Sequence, residues 1–354
     1  MADTRTDNQR KIAPLLLGSS PHIVSPVKTS MMMGTMLIAL APVSIFGVVI
    51  FGLPALLNII VAVAAAIGGE ALFRLVTRQP MRVKDLSAGV TGLLLALVIP
   101  PSLPLWMTAM GAVFAVVVAK EFFGGLGANV FNPALVGRAF LMMSFPAAMT
   151  TWHGPQDGFA LALTDATSGA SLLGIARAGM ETGPYWQTIR DLFFGYRAGC
   201  TGETSILLIL AAFIFLLATR TIDWRAPVSM IAVSVIAAFA LGLDPLFTVL
   251  SGGLVFGAVY MATDYVTSPL TPWGKIIFGA GAGLIAILIR KWGNYPEGVS
   301  YGILIMNCAV PFLNRLLPRK YGYVPQKKPA SGGSAASSGS TASSGSTASA
   351  GGPK

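Results

Sequence analysis

The stretch TSMMMGTMLIALAPVSIFGVVIFGLPALLNIIVAVAAAIGG, residues 29–69, carries no charged side chain and is interrupted once, at Gly52-Leu53-Pro54. On each side of that break lie about the 20 apolar residues that a helix needs to cross a bilayer core. It reads as a hairpin of two membrane helices, and the pattern recurs along the chain. Residues 86–119 are again free of charge and broken at Pro100-Pro101-Ser102-Leu103-Pro104, which predicts a short third span and a fourth. A fifth follows the Gly-rich segment GGLGANVFNPAL (124–135) and continues to about Ala148. Five more apolar runs occupy 204–219, 226–243, 245–263, 276–289 and 298–314. The fold class is therefore an all-α polytopic membrane protein with about ten transmembrane helices.

Composition agrees: of 354 residues 54% are hydrophobic and only 11% charged, which excludes an ordinary soluble enzyme. The net charge of +10 does not point to nucleic acid, because the basic residues are scattered between greasy runs without interleaved aromatics. Two cysteines, Cys200 and Cys308, are too few for an iron–sulfur cluster or a four-cysteine zinc site within the chain. They read as two packed thiols. No early apolar region with a small-residue cleavage site occurs before Thr29, so no cleaved signal peptide is expected.

Orientation follows from the distribution of Lys and Arg. If the N-terminus is cytoplasmic, that side carries 18 of them, and the opposite side only five, two of which are Arg290 and Lys291. Arg138 is left inside a span. The expected organisation is a cytoplasmic arm (1–28), a first five-span half (29–149), an extracytoplasmic loop (150–203), a second five-span half (204–318) and a cytoplasmic disordered tail (319–354) rich in Gly, Ser and Ala. An odd number of spans per half makes the halves, if they share a fold, inverted repeats. The breaks at 100–104 and 124–133 fit broken helices, with Asn132 and Pro133 restarting one.

Candidate chemistry is sparse. GGLGAN is not a GxGxxG after a strand, so its glycines read as helix packing or a turn at membrane depth. Glu70, Glu121, Asp244 and Asp264 lie near span ends, where acids are candidates for an ion or proton pathway; for Glu70, four residues before Arg74, an ion pair along one helix face is the better account. No catalytic residue and no metal-ligand spacing is found. In the long loop, TDATSGASL (164–172) presents the Ser171 hydroxyl among small residues, six positions after Asp165. By itself that is a loop with a serine.

Four stretches together resemble a known family: AKEFFGGLGANVFNPALVGRAF (119–140), DATSGAS (165–171), MATDYVTSPLTPWGKIIFG (261–279) and YPEGVSYGILIMNCAVPFLNR (295–315). They are similar to the RnfD/NqrB family, membrane subunits of the Rnf complex and of the sodium-pumping NADH:quinone reductase. In that family FMN is attached through its phosphate to a hydroxyl in a DxxSGAT motif. The matching residues here are Asp165, Ser168, Gly169, Ala170 and Ser171, with serine at the acceptor position where the family usually has threonine. The resemblance implies a covalent FMN on Ser171, electron transfer between ferredoxin and NAD coupled to Na+ or H+ translocation, and a place in the bacterial inner membrane, where the span count and charge distribution put both termini on the cytoplasmic side. It implies as partners the other Rnf subunits, among them a second covalent-FMN subunit and iron–sulfur subunits, and a flavin transferase. It also leaves room for a non-covalent riboflavin, for which no residue stands out. The ion-pathway candidates are Glu70, Glu121 and Asp264. An NqrB-like subunit and a cofactor-free channel or transporter of two inverted halves are the competing readings.

Overall fold

The computed structural model describes residues 28–81, 83–154, 168–169, 184–293 and 298–316, which belong to one compact unit. The N-terminal arm before Lys28 and the tail from 317 on lie outside the described residues. All ten apolar runs are helical. The first half comprises α1 (Thr29–Phe51), α2 (Leu53–Val76), α3 (Ser87–Val98), α4 (Leu105–Val117) and α5 (Pro133–Ser144), followed by the short α6 (Pro146–Met149). A two-residue antiparallel ladder pairs β1 (Trp152–His153) with β2 (Ser168–Gly169). Then come α7 (Tyr185–Phe194), α8 (Ile206–Ala218), α9 (Arg225–Ala240), α10 (Pro245–Leu250), α11 (Leu254–Phe256) running into a π-helical turn (Gly257–Met261), α12 (Pro272–Trp292) and α13 (Val299–Leu316). Four helical stretches, 29–51, 53–76, 105–123 and 272–292, are long and apolar enough to span a membrane alone. Residues such as Ile38, Leu72, Ile214 and Phe239 face outward, as lipid-facing side chains do.

The two halves repeat one plan. In the first, α2 packs on α3 and α4, and α4 on α5; in the second, α9 packs on α10 and α12, and α12 on α13. A short helix in each half is entered through a left-handed residue, Leu86 (φ 64°) before α3 and Gly253 (φ 65°) before α11. A Pro-containing break then follows in each. The first helices of the halves, α1 and α8, pack together, as do α5 and α13. The Tyr260 hydroxyl donates to Ala39 O at 3.0 Å and Arg138 donates to Ser300 Oγ at 2.5 Å, so polar contacts tie the halves as well.

Each break leaves carbonyls without helical partners, and no water is available at membrane depth to satisfy them. Buried Asn58 on α2 answers the first break: its Nδ2 donates to Pro101 O (2.8 Å) and Leu103 O (3.2 Å), while its Oδ1 accepts from Thr108 Oγ1 (2.6 Å). Two arginines answer a further interruption, the one between α10 and α11. Arg290 donates to Thr248 O (2.6 Å), Ser251 O (3.1 Å) and Gly252 O (2.8 Å), and Arg197 donates to Leu250 O (2.8 Å) and to Glu203 O. Asn132 restarts α5 as expected, its side chain accepting from Ala134 N and Leu135 N with Pro133 in the first turn. Asn58→Leu orphans three buried groups at about 1–3 kcal/mol each, so it is expected to lower the thermal unfolding midpoint in detergent far more than Thr108→Val. Equal stability of the two variants would remove Asn58 from this role.

Candidate functional site

The loop that carries the small-residue motif is described at its two ends and at the ladder. Trp152 pairs with Gly169 and His153 with Ser168, which pins the backbone of the motif's middle just beyond α6. Trp152 itself is buried. Asp165, Ala170 and Ser171 lie outside the described residues. Past the motif, the chain is helical again over α7, an element absent from the sequence reading because its mixed charge hides a short amphipathic pattern.

Glu70 and Glu121 are brought together, but not as open acids. Glu70 Oε2 accepts from Lys120 Nζ at 2.9 Å, and Glu70 Oε1 lies 3.4 Å from Arg74 Nε. Arg74 Nη2 reaches Glu121 Oε1 at 3.1 Å and Oε2 at 3.0 Å, and Lys120 Nζ also donates to Ser87 Oγ at 2.6 Å. All four ionisable side chains are at most 2% exposed. Two carboxylates and two bases therefore neutralise each other inside the protein. The expected pair along α2 is present as one edge of this larger cluster. Gly125, with φ 90°, closes over it, where a Cβ would come 2.8 Å from Arg74 Nη2.

Asp264 stands differently. Its Oδ2 accepts from Thr267 Oγ1 at 3.0 Å and its Oδ1 from Val266 N at 3.3 Å, and among the described residues no cation forms an ion pair with it. It lines a cleft of about 690 Å³, mouth included, with Ser87, Lys120, Asn129, Thr263 and the apolar Met33. Asn129 is 6% exposed and its Nδ2 is engaged with Phe131 O, yet among the described residues its Oδ1 has no partner. The cleft thus combines an acid with one oxygen, Asn129 Oδ1, that no described residue engages. Asp244, the fourth acid, is spent as the N-cap of α10, accepting from Leu246 N and Phe247 N.

Sequence reading missed a second polar focus at the loop end of the second half. Arg138, Arg197 and Arg290 are all buried there, near Glu203 and Cys200. Gly253 admits the Glu203 side chain, because a Cβ at that left-handed position would strike Glu203 Oε1. Arg290 had opposed the charge asymmetry; its guanidinium is spent on backbone carbonyls and serves no loop surface. That disagreement was the available signal. Both cysteines are free, but only Cys200 is packed, Cys308 being exposed on α13; burial, reinforced by the Glu203 carboxylate, pushes the Cys200 thiol well up, so it stays protonated with Val98 O 3.1 Å from its sulfur.

Comparison with known proteins places this architecture. The chain is 41% identical over 320 residues to the D subunit of the Na(+)-translocating ferredoxin:NAD(+) oxidoreductase complex of Acetobacterium woodii, covering 89% of this chain and 98% of that protein. It is likewise 41% identical over 320 residues to the D subunit of the proton-translocating ferredoxin:NAD(+) oxidoreductase complex of Clostridium ljungdahlii (86% and 96% covered). It is 39% identical over 324 residues to the D subunit of the ion-translocating oxidoreductase complex of Stutzerimonas stutzeri (82% and 92% covered). The profile of the NQR2, RnfD, RnfE family matches residues 16–322, which takes in both five-helix halves and the loop between them. The chain belongs to the NQR2, RnfD, RnfE family and groups with its RnfD members.

Proposed function

We propose that this chain is the electron-carrying membrane subunit of an ion-translocating ferredoxin:NAD oxidoreductase complex, with FMN esterified through its phosphate to Ser171. The observation that carries the reading is the DATSGAS motif at 165–171 within a chain that aligns along nearly the full length of its RnfD relatives. The described part of the motif suits a tether. The ladder fixes Ser168 and Gly169 beside the end of α6, and a residue two positions on is reached by at most about 7 Å of chain. Asp165 and Ala170 flank the acceptor, and small neighbours leave a modifying transferase room to act. A bound flavin supplies the redox chemistry, and the protein supplies attachment, orientation and exclusion of water. The other subunits, including a second covalent-FMN subunit and iron–sulfur subunits, complete the path, and a non-covalent riboflavin belongs to the same reading. The charge asymmetry supports cytoplasmic termini and an external loop.

A mass spectrum of the loop peptide from the chain coexpressed with a flavin transferase tests the attachment. The expected result is a gain of one FMN less one water, localised to Ser171 by fragmentation. An unmodified peptide under those conditions favours the cofactor-free transporter.

For the coupled ion, the arrangement of acids favours Asp264 over Glu70 and Glu121, whose charges are already matched by Arg74 and Lys120. Asp264→Asn is expected to leave the complex assembled and its flavin in place, with ion uptake into proteoliposomes lost. Undiminished uptake would exclude the cleft from the pathway.

A further inference from the structure

The helix α7 has two unlike sides. Thr188 and Leu192 are buried, and α7 packs on α10 and on the start of α8. At its first residue, Tyr185 lies beside the Asp244 carboxylate that caps α10, and the phenol is raised by that neighbour. The opposite side carries Trp186, 75% exposed, Arg190, whose side chain is 66% exposed with its Nε 3.7 Å from the Asp191 carboxylate, and Phe194, 49% exposed, at successive turns, with Tyr196 (64% exposed) just beyond.

Two observations say what meets this row. On α12, exposed Trp273 and Trp292 are 19 residues apart, which is about 28 Å of helix and close to the thickness of a bilayer's hydrocarbon core. Tryptophans collect at both edges of that core. Counting spans puts Trp292 at the same end of the molecule as α7, together with exposed Trp106 at the start of α4. Outward apolar side chains also stand at that end: Phe239, 79% exposed at the end of α9, and Leu246 on α10, the helix that α7 packs against.

We propose that α7 is a membrane-surface helix, lying in the headgroup layer with Trp186 and Phe194 among the acyl-chain boundary and Arg190 directed at phospholipid phosphate. An amphipathic helix with aromatic anchors and a basic residue has this chemistry. The helix then seats the returning end of the loop at the bilayer surface, whatever that loop carries. The test places p-benzoylphenylalanine at 186, and separately at 194, in the assembled complex in native membranes, with Phe239→p-benzoylphenylalanine as the lipid-facing control. Irradiation is expected to add one phospholipid mass to the α7 peptide, at a yield comparable to the control. Crosslinking of position 186 and position 194 to another subunit would assign the face to a protein partner and overturn the proposal. Absence of any adduct at both positions, with the control positive, would put the face in water and overturn it equally.

Discussion

Ser171→Ala is expected to abolish the ultraviolet-fluorescent band of this chain on a denaturing gel, while Thr167→Ala and Ser168→Ala keep it. The effect is all or none, because only a covalent bond survives the detergent and alanine offers no oxygen to the phosphate. The choice among three neighbouring hydroxyls has a structural side. Ser168 lies in the ladder opposite His153, so its backbone is held in place by strand pairing. Ser171 follows the ladder by two residues, in the Gly-Ala-Ser end of the motif. Ser171→Thr restores the family's usual acceptor and should keep the band at full intensity. A band that persists in Ser171→Ala, or that disappears in Ser168→Ala, would move the attachment elsewhere.

The membrane architecture was legible because its signal is long: charge-free runs interrupted by Pro and Gly are readable without any knowledge of what packs on what. Asn132-Pro133 was legible for a related reason, since a helix cap acts within three residues of itself. What the sequence hid depends on contacts distant along the chain. Glu70 and Arg74 announce themselves by spacing, but Lys120 and Glu121 arrive from some 50 residues away, and only their arrival turns two candidate pathway acids into a closed cluster. Asn58 was the one amide in an otherwise apolar hairpin, a signal passed over because its partners, the carbonyls of Pro101 and Leu103, lie beyond another helix. Arg290 and Lys291 conflicted with the charge rule, and the conflict had a physical cause: that rule counts charges left in aqueous loops, whereas Arg290 is buried against a broken helix. The helix α7 was lost inside a loop whose average composition is neither greasy nor helical.

Lys120→Met is expected to destabilise the chain by about 3–5 kcal/mol, the usual consequence of removing one partner from a buried ion pair. The ammonium holds Glu70 Oε2 and Ser87 Oγ, and its loss leaves four ionisable groups reduced to two acids and one base, with the carboxylates buried. Adding Glu70→Gln to Lys120→Met restores the balance, since Arg74 and Glu121 remain as a pair. The double variant is therefore expected to be more stable than Lys120→Met alone, with a coupling of about 0.5–3 kcal/mol in the mutant cycle. The midpoint of heat-induced loss of the monodisperse peak in size-exclusion chromatography reads both quantities. The outcome also bears on transport, because a cluster that must stay charge-balanced to fold is a poor relay for a cation. If Lys120→Met were as stable as the parent chain, the cluster would have charge to spare. Glu70 and Glu121 would then rejoin Asp264 as candidates for the path.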